Sequence, residues 1–146
     1  MMPSRVVHFG ASAFGARAAC LGDQVALVVS RIGELLPDLR WYVADVECTG
    51  TSFTGRTPTP VDVGDTHALM RAAGQVSQFT SGVFAAIPAD LTQPRFREGG
   101  LSTDGDEVAD LGDAVVEVRA LDTTYVSVAA TNESLLQRLE AQFFAG

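Results

Sequence analysis

Residues 40–48 carry the strongest structural signal in the chain. Tyr42, Ala44, Val46 and Cys48 alternate there with Trp41, Val43, Asp45 and Glu47. Successive side chains of a β-strand point to opposite sides of the sheet, so the first set forms one wholly apolar face. The second set turns from Trp41 to acid along its length. Such a strand needs neighbours along its edges and a cover over its apolar face. The pattern predicts a central strand whose Tyr42, Ala44 and Val46 face packs on helices. On that reading, Val46→Asp would abolish cooperative unfolding, because a core site would hold an unpaired charge.

Other segments supply the cover and the partners. Leu21, Val25, Val28, Ile32 and Leu35 recur at the spacing of one helix face. Asp23 places negative charge where the helix dipole favours it, and Pro37 stops the segment. Asp65 or Thr66 caps a second helix running to about Gln78, burying Leu69, Ala72, Ala73 and Val76. Thr131 caps a third, with Leu135, Leu136, Leu139 and Phe143 on its apolar face. Further strands are expected over residues 5–9, 82–88, 114–120 and 123–130, the last two joined at Leu121 and Asp122. Residues 49–64 and 89–112 hold clusters of Gly and Pro and read as long loops. The order β-α-β-α-β-β-β-α predicts one α+β domain over residues 1–146. It is a sandwich with a mostly antiparallel sheet of four or five strands and helices packed on one face.

The 146 residues, 47% hydrophobic and 19% charged, suit a globular domain that folds without a disulfide or a metal. Cys20 and Cys48 read as small buried hydrophobes, since no Cys-x-x-Cys pair is present. No apolar run approaches the roughly 20 residues of a membrane span. The start of the chain lacks the pattern of a secretory signal, so a cytoplasmic protein without membrane contact is expected. The formal net charge is -8, and all ten positive charges are Arg. Nucleic-acid affinity rests mainly on cations neutralising phosphates, so no nucleic-acid partner is expected.

Charge placement is the least ambiguous functional feature. Glu98, Asp104, Asp106, Glu107, Asp110, Asp113 and Glu117 fall within residues 98–117, and no Arg does. Seven uncompensated carboxylates are expected to face water, where they would form either a solvated loop or a docking surface for a basic partner. Asp104 and Asp106 flank Gly105 as in some calcium loops. The remaining ligand spacing is missing, so no metal is expected.

The run Val6, Val7, His8, Phe9, Gly10, Ala11, Ser12, Ala13, Phe14, Gly15 resembles the dinucleotide-binding strand and glycine turn of the short-chain dehydrogenase family. The resemblance covers these ten residues, with Gly10, Ala11, Ser12 and Gly15 in matching places. Ala13 stands where the family's middle glycine lets backbone approach a pyrophosphate. No acid closes a second strand about 20 residues on, and a chain without Lys cannot hold the family's Tyr-x-x-x-Lys pair. No cofactor is therefore expected, and no nicotinamide binding in particular.

Three further groups are candidates. Hydrolytic catalysis would need His8 or His67 beside a nucleophile and an orienting acid, and no nucleophile elbow accompanies either. Asp45 and Glu47, with Trp41 on the same predicted face, resemble either an acid–base pair or the aromatic-plus-acid make-up of a binding surface. Arg119 and Tyr125 flank the predicted hairpin and belong to residue types enriched at binding hot spots. The favoured reading is a non-catalytic protein-binding module that takes a basic partner through its acidic surface, in an immunity or antitoxin-like role. The alternatives are a small carboxylate-dependent enzyme, with or without a metal, and a small-molecule-binding domain. The expected binding residues are Trp41, Asp45, Glu47, Asp104, Asp106, Glu107, Asp110, Arg119 and Tyr125.

Overall fold

Among the described residues, three amphipathic helices bury their apolar faces against a single six-stranded sheet. The computed structural model describes residues 5–49, 59–96 and 111–144. Its elements are β1 (Arg5–Gly10), a 3-10 turn (Ala11–Phe14), α1 (Gly22–Leu35), β2 (Leu39–Thr49), β3 (Val61–Asp65), α2 (Thr66–Gly74), β4 (Gln78–Pro88), β5 (Val116–Leu121), β6 (Tyr125–Ala130) and α3 (Glu133–Phe144). The strands form one sheet in the order β1-β6-β5-β4-β2-β3. Every pairing is antiparallel. The fold class is the expected α+β, with six strands rather than four or five.

All three helices lie on one face of the sheet. Val25, Val28 and Ile32 of α1, Leu69 and Ala73 of α2, and Leu135 and Leu139 of α3 join one apolar cluster. The sheet contributes Trp41 and Val43, Phe84 and Ala86, Val116 and Val118, and Val126 and Val128 to the same cluster. α1 and α2 meet closely at Gly22, where a Cβ would collide with the carbonyls of Ala73 and Val76. That backbone approach requires glycine.

The local signals for helix ends hold in part. Asp23 sits in the first turn of α1. The buried Gln24 side chain accepts from the Leu21 amide (3.2 Å) and donates to the Ala18 carbonyl (2.8 Å), which fixes the entry to that helix. Asp65 caps α2 by accepting from the Ala68 amide at 2.8 Å. α3 is capped by Asn132 rather than Thr131, through the Leu135 amide at 3.2 Å. α2 stops at Gly74, short of the predicted Gln78, because β4 begins at Gln78 in register with Thr49 of β2.

Two departures concern the strands. β3 forms inside the stretch read as a loop. Pro60, Asp62 and Gly64 are poor strand formers. Pairing with β2 and the Arg40–Asp62 ion pair (2.9 Å) hold Val61–Asp65 as a strand nevertheless. The second departure corrects the faces of β2. Leu39, Trp41 and Val43 face the helices, whereas Tyr42 and Ala44 lie on the opposite side. A bulge then reverses the alternation. Asp45 has φ 52, the pairing with β4 skips from Ala44 to Glu47, and Val46 returns to the helix side. One extra residue in a strand moves every later side chain to the other face.

Candidate binding face

The face turned away from the helices carries most of the buried polar groups. Val6, Tyr42, Ala44, Val83, Ala85, Ile87 and Ala129 form a second apolar cluster there with Phe96, Leu111 and Ala114. The strand register also places three buried polar or charged side chains, Glu117, Arg119 and Ser127, within this face. His8, Ser127, Arg119, Val83 and Ala44 form one transverse row across β1, β6, β5, β4 and β2. Val6, Ala129, Glu117, Ala85 and Tyr42 form the next. Glu117 is 0% exposed and Arg119 2%. Two residues apart on one strand, they share a face with Cα atoms about 6.5–7 Å apart. The small side chains of Ala85 and Ala129 flank Glu117 on both neighbouring strands.

The burial of Glu117 corrects the expectation that residues 98–117 are uniformly exposed. Only its position two residues into β5 explains this, because alternation sends Val116 and Val118 to the helices and Glu117 to the other face. Asp113 is half-buried and tied down. Its carboxylate accepts from the Arg95 amide at 2.7 Å, and its own amide donates to the Arg95 carbonyl at 2.7 Å. The Val115 amide donates to the Ala86 carbonyl (2.9 Å), and the Phe96 ring stands edge-on to Tyr42 with centroids 5.1 Å apart. These contacts make a neck that pins residues 95 and 113 together over β2 and β4. Glu98, Asp104, Asp106, Glu107 and Asp110, and with them the calcium-like pattern at 104–106, lie outside the described residues.

The remaining predicted site residues do not gather in one place. Trp41 is fully buried on the helix side, and its indole N–H donates to Thr66 Oγ1 at 2.9 Å. It therefore shares no surface with Asp45 and Glu47. Asp45 is buried at the bulge, where its carbonyl accepts from Ser81 Oγ at 3.1 Å, and Glu47 is exposed opposite Ser81. Tyr125 is half-buried and stacks obliquely on His8, with ring centroids 4.5 Å apart. Asp122 and Thr123, both with positive φ, make the turn, so β6 starts at Tyr125. The two histidines are on separate layers, His8 on β1 and His67 in the first turn of α2.

Reasoning from sequence alone missed the neck and Glu117. The neck brings together residues 18 positions apart through backbone groups, which leave no mark in composition. Glu117 was visible as the odd member of an otherwise apolar strand. Both cysteines show the effect of burial. The Cys20 thiol donates to the Tyr125 carbonyl at 3.2 Å, and desolvation raises its pKa above the ordinary value, while neighbouring backbone groups oppose the rise. Partial burial likewise raises Cys48.

The Gly10–Gly15 segment does not build the dinucleotide-binding unit that its sequence resembles. That unit needs a parallel neighbour reached through a crossover helix. Among the described residues, β1 pairs only with the antiparallel β6, and residues 11–14 form a single 3-10 turn. Among the described residues, no helix is long and apolar enough to cross a membrane. The class defined by these observations is an α+β domain with a six-stranded antiparallel sheet, helices on one face and buried charge on the other. No protein-family model, curated protein or solved structure matches the chain.

Proposed function

We propose that this protein is a non-catalytic binding domain for a basic protein partner, of the kind that neutralises a toxin in an immunity or antitoxin role. The observation that carries this reading is the Arg95–Asp113 neck. It fixes both ends of the segment that holds Glu98, Asp104, Asp106, Glu107 and Asp110 to the sheet face opposite the helices. Clustered negative charge attracts a basic partner before apolar contact begins, which raises the association rate and selects against acidic partners.

The test replaces Asp104 and Asp106 with Asn, Asp110 with Asn and Glu107 with Gln. A basic protein recovered with the parent from its native cells, and identified by mass spectrometry, supplies the partner for kinetics. Its association rate should fall about tenfold or more in the quadruple variant and fall steeply with salt for the parent, at unchanged folding stability. Equal association rates for parent and variant at low salt would reject the reading.

A second reading, a carboxylate-dependent enzyme or a small-molecule-binding domain, is favoured by Glu117 and Arg119 being buried side by side on one face. A stoichiometric small molecule released on denaturing the native protein would favour it over the first.

A further inference from the structure

α1 and α2 approach each other at both ends, and glycine permits both approaches. Gly22 meets the end of α2 at Ala73 and Val76, and Gly33 meets its start, where an added Cβ would collide with Thr66 Cγ2. Thr66 is itself fixed, because its Oγ1 accepts from the buried Trp41 indole at 2.9 Å. Gly33 and Thr66 stand in the wall of a cleft of about 420 Å³, framed by α1, the link to β2 and the first turn of α2. Small-molecule sites occupy about 300–1,000 Å³.

Leu36, Leu39 and Met70 give the cleft an apolar wall, and Ser30 and His67 add a hydroxyl and an imidazole. Three carboxylates line it as well. Glu34 comes from the end of α1, Asp38 from the link, and Asp65 from the cap of α2. Glu34 pairs with Arg31 through both oxygens, at 3.0 and 3.3 Å. Asp65 commits Oδ1 to the Ala68 amide at 2.8 Å, which leaves Oδ2. Arg40 lies opposite Asp65 in the β2–β3 register but is held by Asp62 at 2.9 Å. Asp38 is exposed on a fixed main chain, with φ 60 and its carbonyl accepting from the Ala89 amide at 2.8 Å.

A bare helix N-terminus attracts anions. Here the Asp65 cap already answers the α2 dipole, and Asp38 and Glu34 repel further negative charge. The acceptors also decide the form of cation. A planar guanidinium pairs best with two oxygens of one carboxylate, and Glu34 and Asp65 do not have two to offer. An ammonium directs three donors apart and takes single oxygens from several groups. We infer that the cleft binds a small primary amine, its ammonium held between Asp38 and Asp65 and its apolar stem against Leu36, Leu39 and Met70. The site lies in the helix layer, across the sheet from the Arg95–Asp113 neck, and does not rest on the proposed function.

Pentylamine is the probe, titrated into the full chain and followed by backbone amide NMR, with pentanol and pentanoate as controls. Shifts should saturate and concentrate in residues 30–39 and 65–70. Pentanol should bind about fivefold more weakly, and pentanoate should not bind. Asp65→Asn keeps the cap, so it should leave the unfolding midpoint unchanged while weakening pentylamine binding about two- to fivefold. Asp38→Asn should do the same, since Asn tolerates the left-handed backbone there. Asp23→Asn, at the far end of α1, should change nothing. Equal affinity for pentylamine and pentanol, or a preference for pentanoate, would overturn the inference. Parental affinity in the variant carrying both Asp38→Asn and Asp65→Asn would do so too. Shifts spread over the acidic surface, with none centred on the cleft, would reduce the amine to a counter-ion and reject the site.

Discussion

The two faces of the sheet both bury side chains but are chemically unlike. On the helix side, Trp41, Phe84, Val118 and Val128 are fully buried among aliphatic residues of three helices. On the other side, Glu117, Arg119 and Ser127 are just as buried, set among alanines and valines. Apolar burial is non-directional and adds stability with area. Buried charge is expensive and gains little net stability even when compensated. The first face therefore accounts for why the chain folds, while the second holds charge that folding alone does not require.

The largest difference between the two faces should appear at two adjacent residues of β2. Trp41→Ala should cost about 3–5 kcal/mol, since it removes a large core side chain and its hydrogen bond to Thr66. Tyr42→Ala, on the half-buried opposite face, should cost about 1–2 kcal/mol through lost contact with Phe96. Urea unfolding midpoints measure both. Equal losses, or a larger one at Tyr42, would mean that the faces of β2 are assigned the wrong way round.

The charged face is probed next. Arg119→Met leaves the buried Glu117 without the cation two residues away and should cost about 3 kcal/mol. Adding Glu117→Met should restore stability to within about 1 kcal/mol of the parent, because the buried charge is then gone. If the double variant is no more stable than the single one, the two charges are not energetically coupled.

A smaller effect tests the helix layer. Asp65→Ala removes the cap of α2 and should cost about 1 kcal/mol, whereas Asp65→Asn should be nearly silent. Equal losses in the two variants would assign the effect to charge rather than to the cap.

The smallest expected effect is on pH dependence. Burial raises the pKa of Cys20 and Cys48, so each thiol ionises more readily in the unfolded chain than in the folded one. Their contribution to stability is full below the ordinary thiol pKa of about 8.5 and is lost as pH rises through the folded values. Replacing both with Ala should flatten the decline of the unfolding midpoint above about pH 8.5. Identical profiles for parent and variant would show that the thiols contribute nothing to it.

Much of the architecture was legible in the sequence because helices and strands are local periodicities. The spacing of Leu21, Val25, Val28 and Ile32 needs only its own segment to read as a helix, and β5 and β6 read equally well. β3 was not legible, because Asp62 and Gly64 become a strand only when β2 offers a ladder and Arg40 an ion pair. The candidate site was legible only in pieces. Arg119 and Tyr125 were identified by type and do lie on the charged face, whereas Trp41 was placed beside acids from which it is separated by the whole sheet.

What the sequence determined by itself, then, was the set of elements apart from β3, their amphipathic character and the α+β class. Tertiary structure decided which face of β2 meets the helices, where its alternation reverses, and which acids leave water. Alternation states that two faces differ and is silent on which one will be covered. That choice depends on three helices arriving from distant parts of the chain, and on a bulge at Asp45 that appears only when β2 is laid against β4.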